Sequence, residues 1–158
     1  MSVTYRPITF TTREQEYHLE TAAHYTGSGG WRADAEALAA YDGDLNSSDV
    51  RLRGVFVLQN FDALGADMHF ALAPGRKNTH RLITSLLKFA FHPNTKNLPA
   101  LRAFIPAQNV ETQMAALHLG FTFSAKIPAG IASVDEVVLM VLKREDCRWT
   151  LPVMRGAN

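Results

Sequence analysis

Residues 67–93 read DMHFALAPGRKNTHRLITSLLKFAFHP. The opening, Met68-His69-Phe70-Ala71-Leu72, has the apolar character of a short strand. Ala73-Pro74-Gly75 predicts a sharp turn, and Arg76-Lys77-Asn78 a basic loop. From Thr79 to Phe91 the apolar residues Leu82, Ile83, Leu86, Leu87, Ala90 and Phe91 recur at helical spacing, and Pro93 marks the stop. A strand that runs through a basic loop into a helix start is suited to holding an anion. The first N–H groups of a helix lack internal partners, and the helix dipole favours negative charge there. The same residues also read as a plain strand-to-helix connection with solvated charges.

Working outward, Val3 to Phe10 is β-rich, and Pro7 places that strand at an edge or a bulge. Thr11-Thr12 offers a cap for a helix over about Arg13–Tyr25, and Gly27-Ser28-Gly29-Gly30 breaks it. The alanine-rich stretch Trp31–Tyr41 predicts a second helix, and Asp42–Asp49 a loop. Arg53–Gln59 holds the continuous apolar run Val55-Phe56-Val57-Leu58, as in a buried strand. Asn60–Gly65 then turns into the strand at Met68.

Beyond Pro93, Leu101–Ile105 reads as another buried strand. Asn109 caps a short helix ending at Leu119, Gly120 fits the left-handed position after it, and Phe121 supplies the adjoining hydrophobic contact. Phe121, Phe123, Ala125 and Ile127 alternate as in a half-buried strand, which Pro128-Ala129-Gly130 ends. Val137–Leu142 is a final strand. The expected order, β-α-α-β-β-α-β-α-β-β, argues a three-layer α/β (α+β) domain around one mixed, largely antiparallel sheet. Residues 1–146 form that single domain in this reading, and 147–158 a C-terminal tail.

The chain's 158 residues suffice for one domain with a core. No apolar run reaches the roughly 18–20 residues of a membrane span, so no membrane contact is expected. The first residues lack the apolar stretch of a signal peptide. One cysteine, Cys147, allows no internal disulfide and fits a reducing, cytoplasmic setting. A net charge of +1 gives no global reason to expect nucleic-acid binding. The six histidines show no paired ligand spacing, so no metal site is expected.

The element order, the junction at residues 73–81 and the segment Asn109–Phe121 together resemble the GNAT superfamily of acyl-CoA N-acyltransferases, with a looser likeness to phage-encoded members. In that family a fourth strand leads into a pyrophosphate loop written Q/R-x-x-G-x-G/A and then a long helix. The matching register here is Arg76-Lys77-Asn78-Thr79-His80-Arg81, with Thr79 and Arg81 in place of the glycines. The later signature is an Asn opening a helix, with Gly-Phe eleven and twelve residues on. Asn109, Gly120 and Phe121 satisfy it.

The resemblance implies helices on both faces of the sheet and an acyl-CoA, acetyl-CoA above all, as donor. It implies that backbone N–H groups at Phe70, Ala71 and Leu72 hold the pantetheine and thioester between the fourth and fifth strands. The pyrophosphate would then sit on residues 76–81, where Arg76, Lys77, His80 and Arg81 add charge-assisted bonds. Asn109 is carried over as a further cofactor residue.

The acceptor would be a small amine or a protein amine. Its proton must be taken up before or during attack on the thioester. His69 and Asp67, two apart on the strand, are the candidates, and His69 has the better matched pKa. Ala116 stands where many members carry a tyrosine acid, and Thr112 is a hydroxyl nearer the helix start. Tyr17, Tyr25, Trp31 and Tyr41, with Glu14, Glu16, Glu20, Asp34 and Glu36, are candidates for an acceptor pocket. They read equally as core aromatics and solvated helix faces. A homodimer is allowed. The alternative reading is a non-catalytic GNAT-fold binding or structural protein of phage type.

Overall fold

A computed structural model describes residues 7–27, 30–74, 80–131 and 134–149. The elements run β1 (Ile8–Thr11), α1 (Gln15–Thr26), β2 (Glu36–Asp42), β3 (Arg51–Asp62), β4 (Gly65–Leu72), α2 (His80–Phe91), β5 (Ala100–Pro106), α3 (Val110–Leu119), β6 (Thr122–Ile131) and β7 (Val134–Lys143). A short 3-10 turn, Arg144–Asp146, follows. The strands form one seven-stranded sheet in the order β1-β2-β3-β4-β5-β7-β6. β4 and β5 run parallel, with Ala66 opposite Leu101 and Asp67 opposite Arg102. A parallel pair needs a crossover rather than a hairpin, and α2 lies on that crossover. No helix among the described residues is long and apolar enough to cross a membrane.

The chain divides into two compact units, residues 1–60 with 69–86, and residues 61–68 with 87–158. In the first, Ala22 of α1 packs with Ala37 and Ala39 of β2, Val55 and Val57 of β3 and Ala71 of β4. Leu19, Tyr25, Trp31, Tyr41 and Leu52 close around them. Gln15 pins the start of α1 to β2. Its amide N–H donates to the Ala37 carbonyl (2.7 Å), and its oxygen accepts the Ala37 N–H (2.8 Å).

In the second unit Leu101, Ala103 and Ile105 of β5 stand directly opposite Leu142, Met140 and Val138 of β7. All six are buried. The alternate residues of each strand therefore face one core, as the period of two requires. α3 is closed at both ends as its sequence predicts. The Asn109 side chain accepts the Thr112 N–H, and Gly120 adopts φ 108°. The Phe121 N–H then returns to the Ala116 carbonyl at 3.0 Å, and Phe121 itself is buried.

Two expectations are corrected. Trp31–Tyr41 is not a helix: a turn leads into strand β2, which pairs with both β1 and β3. Ala37, Leu38, Ala39 and Ala40 are all buried, so both faces of this strand are covered. Helix propensity is a weak local preference, and burial within a sheet overrides it. Of the expected first strand Val3–Phe10, residues 3–6 lie outside the described residues, and β1 is Ile8–Thr11. Pro128 does not end β6. The strand continues to Ile131 with an irregular register after Pro128, as an edge strand can accommodate. The observed order is therefore β-α-β-β-β-α-β-α-β-β.

Candidate functional site

Strand β4 carries the two proton-acceptor candidates, and their surroundings differ. Asp67 is buried, and its carboxylate accepts a hydrogen bond from Arg102 Nε at 2.6 Å. The parallel register already sets these two residues opposite one another. Arg102 Nη1 also donates to both carboxylate oxygens of Asp62 at 3.0 Å. Burial works against the Arg102 charge, but the bonds to Asp67 and Asp62 outweigh it and raise its pKa. Asp62 is held below the usual carboxylate range, first by the Arg102 bond and then by the Leu64 N–H. Asp67 thus belongs to an ion-pair network with Arg102 and Asp62.

His69 is half-buried in the first unit. Its ring meets the Trp31 indole in a T-shaped contact, with centroids 5.0 Å apart. The Trp31 indole N–H is itself held by the Leu19 carbonyl at 2.7 Å. From β3, Gln59 brings its amide nitrogen to 3.3 Å from His69 Nε2. The Gln59 oxygen accepts the Arg32 N–H at 2.8 Å. Asp34 in the same turn accepts the N–H of Asn60, a residue in the left-handed region at φ 56°. Two side-chain-to-backbone bonds therefore fasten the turn bearing Trp31 to the end of β3. These connections were not legible in the sequence beyond one signal, a polar Gln closing the apolar run Val55–Leu58.

A second histidine, His18, is only 2 % exposed. Its Nδ1 faces the Arg13 carbonyl (2.9 Å) and its Nε2 the Tyr41 hydroxyl (2.6 Å). A carbonyl only accepts, so Nδ1 carries the proton and Nε2 accepts from Tyr41. Burial, with smaller effects from Tyr17 and Tyr25, raises the Tyr41 pKa and keeps that hydroxyl protonated. This pair is a satisfied packing contact between α1 and β2.

Of the other expected residues, Ala71 is buried while Phe70 and Leu72 are half-buried on β4. Arg76, Lys77, Asn78 and Thr79 lie outside the described residues. His80 and Arg81 open α2, whose first turn carries no acidic residue. Asn109 spends its side-chain oxygen on the Thr112 N–H (3.2 Å), and Thr112 is thereby a first-turn residue of α3. Ala116 is buried. Tyr25, Trp31 and Tyr41 pack against the core of the first unit, whereas Tyr17 is exposed. Glu14, Glu16, Glu20 and Asp34 are exposed and Glu36 half-buried.

No family model and no curated protein matches the sequence. Solved structures do match in fold. A point mutant of SpeG spermidine N-acetyltransferase from Vibrio cholerae superposes with a TM-score of 0.70 at 14% identity, over 87% of this chain and 94% of that one. Spermidine/spermine N-acetyltransferase SpeG from Vibrio cholerae in complex with manganese ions gives 0.70 at 14%, over 94% and 96%. The dodecameric structure of spermidine N-acetyltransferase from Vibrio cholerae gives 0.67 at 13%, over 87% and 94%. The chain has the mixed α/β fold of the GNAT superfamily, as its element order and two motifs suggest. These likenesses give no support to a phage-type role.

Proposed function

We propose that this chain, which carries the GNAT fold along nearly its whole length, is an N-acetyltransferase that moves an acetyl group from acetyl-CoA to an amine. The observation that carries this reading is the likeness to spermidine N-acetyltransferases over about nine-tenths of both chains. A half-buried histidine stands on β4, the strand the resemblance assigns to the donor.

Bound acetyl-CoA supplies an activated acyl carbon and a thiolate leaving group. The residues that would hold it are the β4 backbone at Phe70–Leu72, by hydrogen bonds to pantetheine and thioester, and Arg76–Arg81, by N–H groups and cations at the diphosphate. The start of α2 fits an anion, since its first turn offers no competing carboxylate. His69 takes a proton from the acceptor as the amine nitrogen bonds to the acyl carbon. The thiolate released from acetyl-CoA would be the final proton acceptor, leaving an N-acetylated amine and free CoA thiol. Asp67 and Arg102 support β4 from their ion pair rather than joining the proton transfer.

The acceptor belongs to the same proposal. Enzymes of similar fold act on spermidine, so spermidine heads the panel of amines to be tried. One similar structure is dodecameric, and self-association of this chain is part of the reading, to be measured by sedimentation. The test of function is release of free CoA thiol from acetyl-CoA. Release that depends on an added amine, and falls at least about tenfold in His69→Gln, is expected. No amine-dependent release with any member of the panel overturns the reading.

A further inference from the structure

Gln59 sits at a point where its own orientation is dictated. Its oxygen accepts the Arg32 backbone N–H at 2.8 Å, and a backbone N–H can only donate. The carboxamide is therefore turned so that its NH2 group meets His69 Nε2. A carboxamide NH2 can only donate, so Nε2 accepts. In a neutral imidazole the other nitrogen then holds the proton. We propose that Gln59 is a positioning residue that fixes His69 as the Nδ1–H tautomer and keeps its Nε2 lone pair as an acceptor.

The role of that lone pair in catalysis rests on the acetyltransferase reading; the tautomer itself does not. An imidazolium has an N–H on both nitrogens, and an Nε2–H would meet the Gln59 N–H head-on. The contact therefore favours the neutral ring, which is the form a base must start from. The acceptor's N–H displaces the Gln59 N–H at Nε2 when the proton is transferred. Trp31, in its T-shaped contact with the ring, and the Arg32–Asp34 turn adjoin the pair. The surrounding elements carry Arg32 and Asp34 in the turn, Asp67 on β4 (paired with Arg102), and Glu16, Tyr17, His18, Glu20, His24 and Tyr25 on α1. On β3 there is also Arg53, whose guanidinium pairs with Asp42.

The test is Gln59→Glu in the full chain. Glutamate still accepts the Arg32 N–H, and its second oxygen accepts from an Nε2–H, so it reverses the bond to His69. The nitrogen chemical shifts of His69 are followed from acid to alkaline pH. In the wild type Nε2 is expected to be the unprotonated nitrogen of the neutral ring. In Gln59→Glu the proton is expected on Nε2, and the His69 pKa is expected to rise by about 1 unit or more. Wherever amine-dependent CoA release is measurable, the acid limb of kcat/KM should move up with it. A wild-type ring protonated at Nε2 when neutral, or a His69 pKa unmoved by Gln59→Glu, overturns the proposal. A purely structural Gln59 would lower stability in Gln59→Ala without moving that titration. An absence of acetyl transfer leaves the nitrogen shifts readable, so failure of the enzyme reading is distinguished from failure of this one.

Discussion

Asp67 and His69 lie two residues apart, yet their neighbours give them different work. Asp67 is claimed by Arg102, which also grips Asp62. The Asp62 carboxyl is held below its ordinary range, so the unfolded chain binds more protons as pH falls through the carboxylate range. Its contribution to stability is full above about pH 4 and declines as pH drops through the folded-state value. Asp62→Asn lacks this dependence. Urea unfolding from neutral pH downward should show the gap between wild type and variant narrowing towards acid. A constant gap would mean the Asp62 charge is irrelevant to the fold. At this scale the sequence supplied His69 and Asp67 as candidates, from residue type and strand position alone. It did not supply Arg102 or Gln59, because each meets its partner through strand pairing rather than through proximity along the chain. Along the sequence Asp67 stands as a second candidate, because its partner Arg102 lies 35 residues away.

Among the elements, α3 and β2 mark the two extremes of what local sequence conveys. α3 was legible because its signals act within a few residues: Asn109 takes the Thr112 N–H, and Gly120 supplies a left-handed turn. β2 was not, because its alanines are strong helix formers placed in a strand that pairs with β1 and β3 along its two edges and is buried on both faces. Small side chains suit that place, since Ala22 of α1 packs closely against Ala37 and Ala39. β4 begins at Gly65, whose φ is 139° and where an added Cβ would lie 2.1 Å from the Ala100 carbonyl oxygen. That close approach belongs to the parallel β4–β5 pairing, which joins Ala66 to Leu101 one residue later. Gly65→Ala should therefore destabilise the protein by on the order of 3 kcal/mol in urea unfolding. A loss under about 0.5 kcal/mol, the range of ordinary surface changes, would show that the backbone is not held there as described.

For the whole molecule, the likeness to the spermidine N-acetyltransferase structures is one of fold, at identities of 12–15%. Topology was the more legible part. Hydrophobic periodicity, caps and breakers act over a few residues and can be read from one chain. The proposed donor site was less legible, since Thr79 and Arg81 stand where the family's loop carries glycines. Thermal unfolding of the full chain with and without acetyl-CoA asks directly whether this fold holds the donor. Acetyl-CoA at a hundred times its Kd should raise stability by about 2.7 kcal/mol and the midpoint with it. An unchanged midpoint at millimolar acetyl-CoA would contradict donor binding, and with it acetyl transfer by this chain.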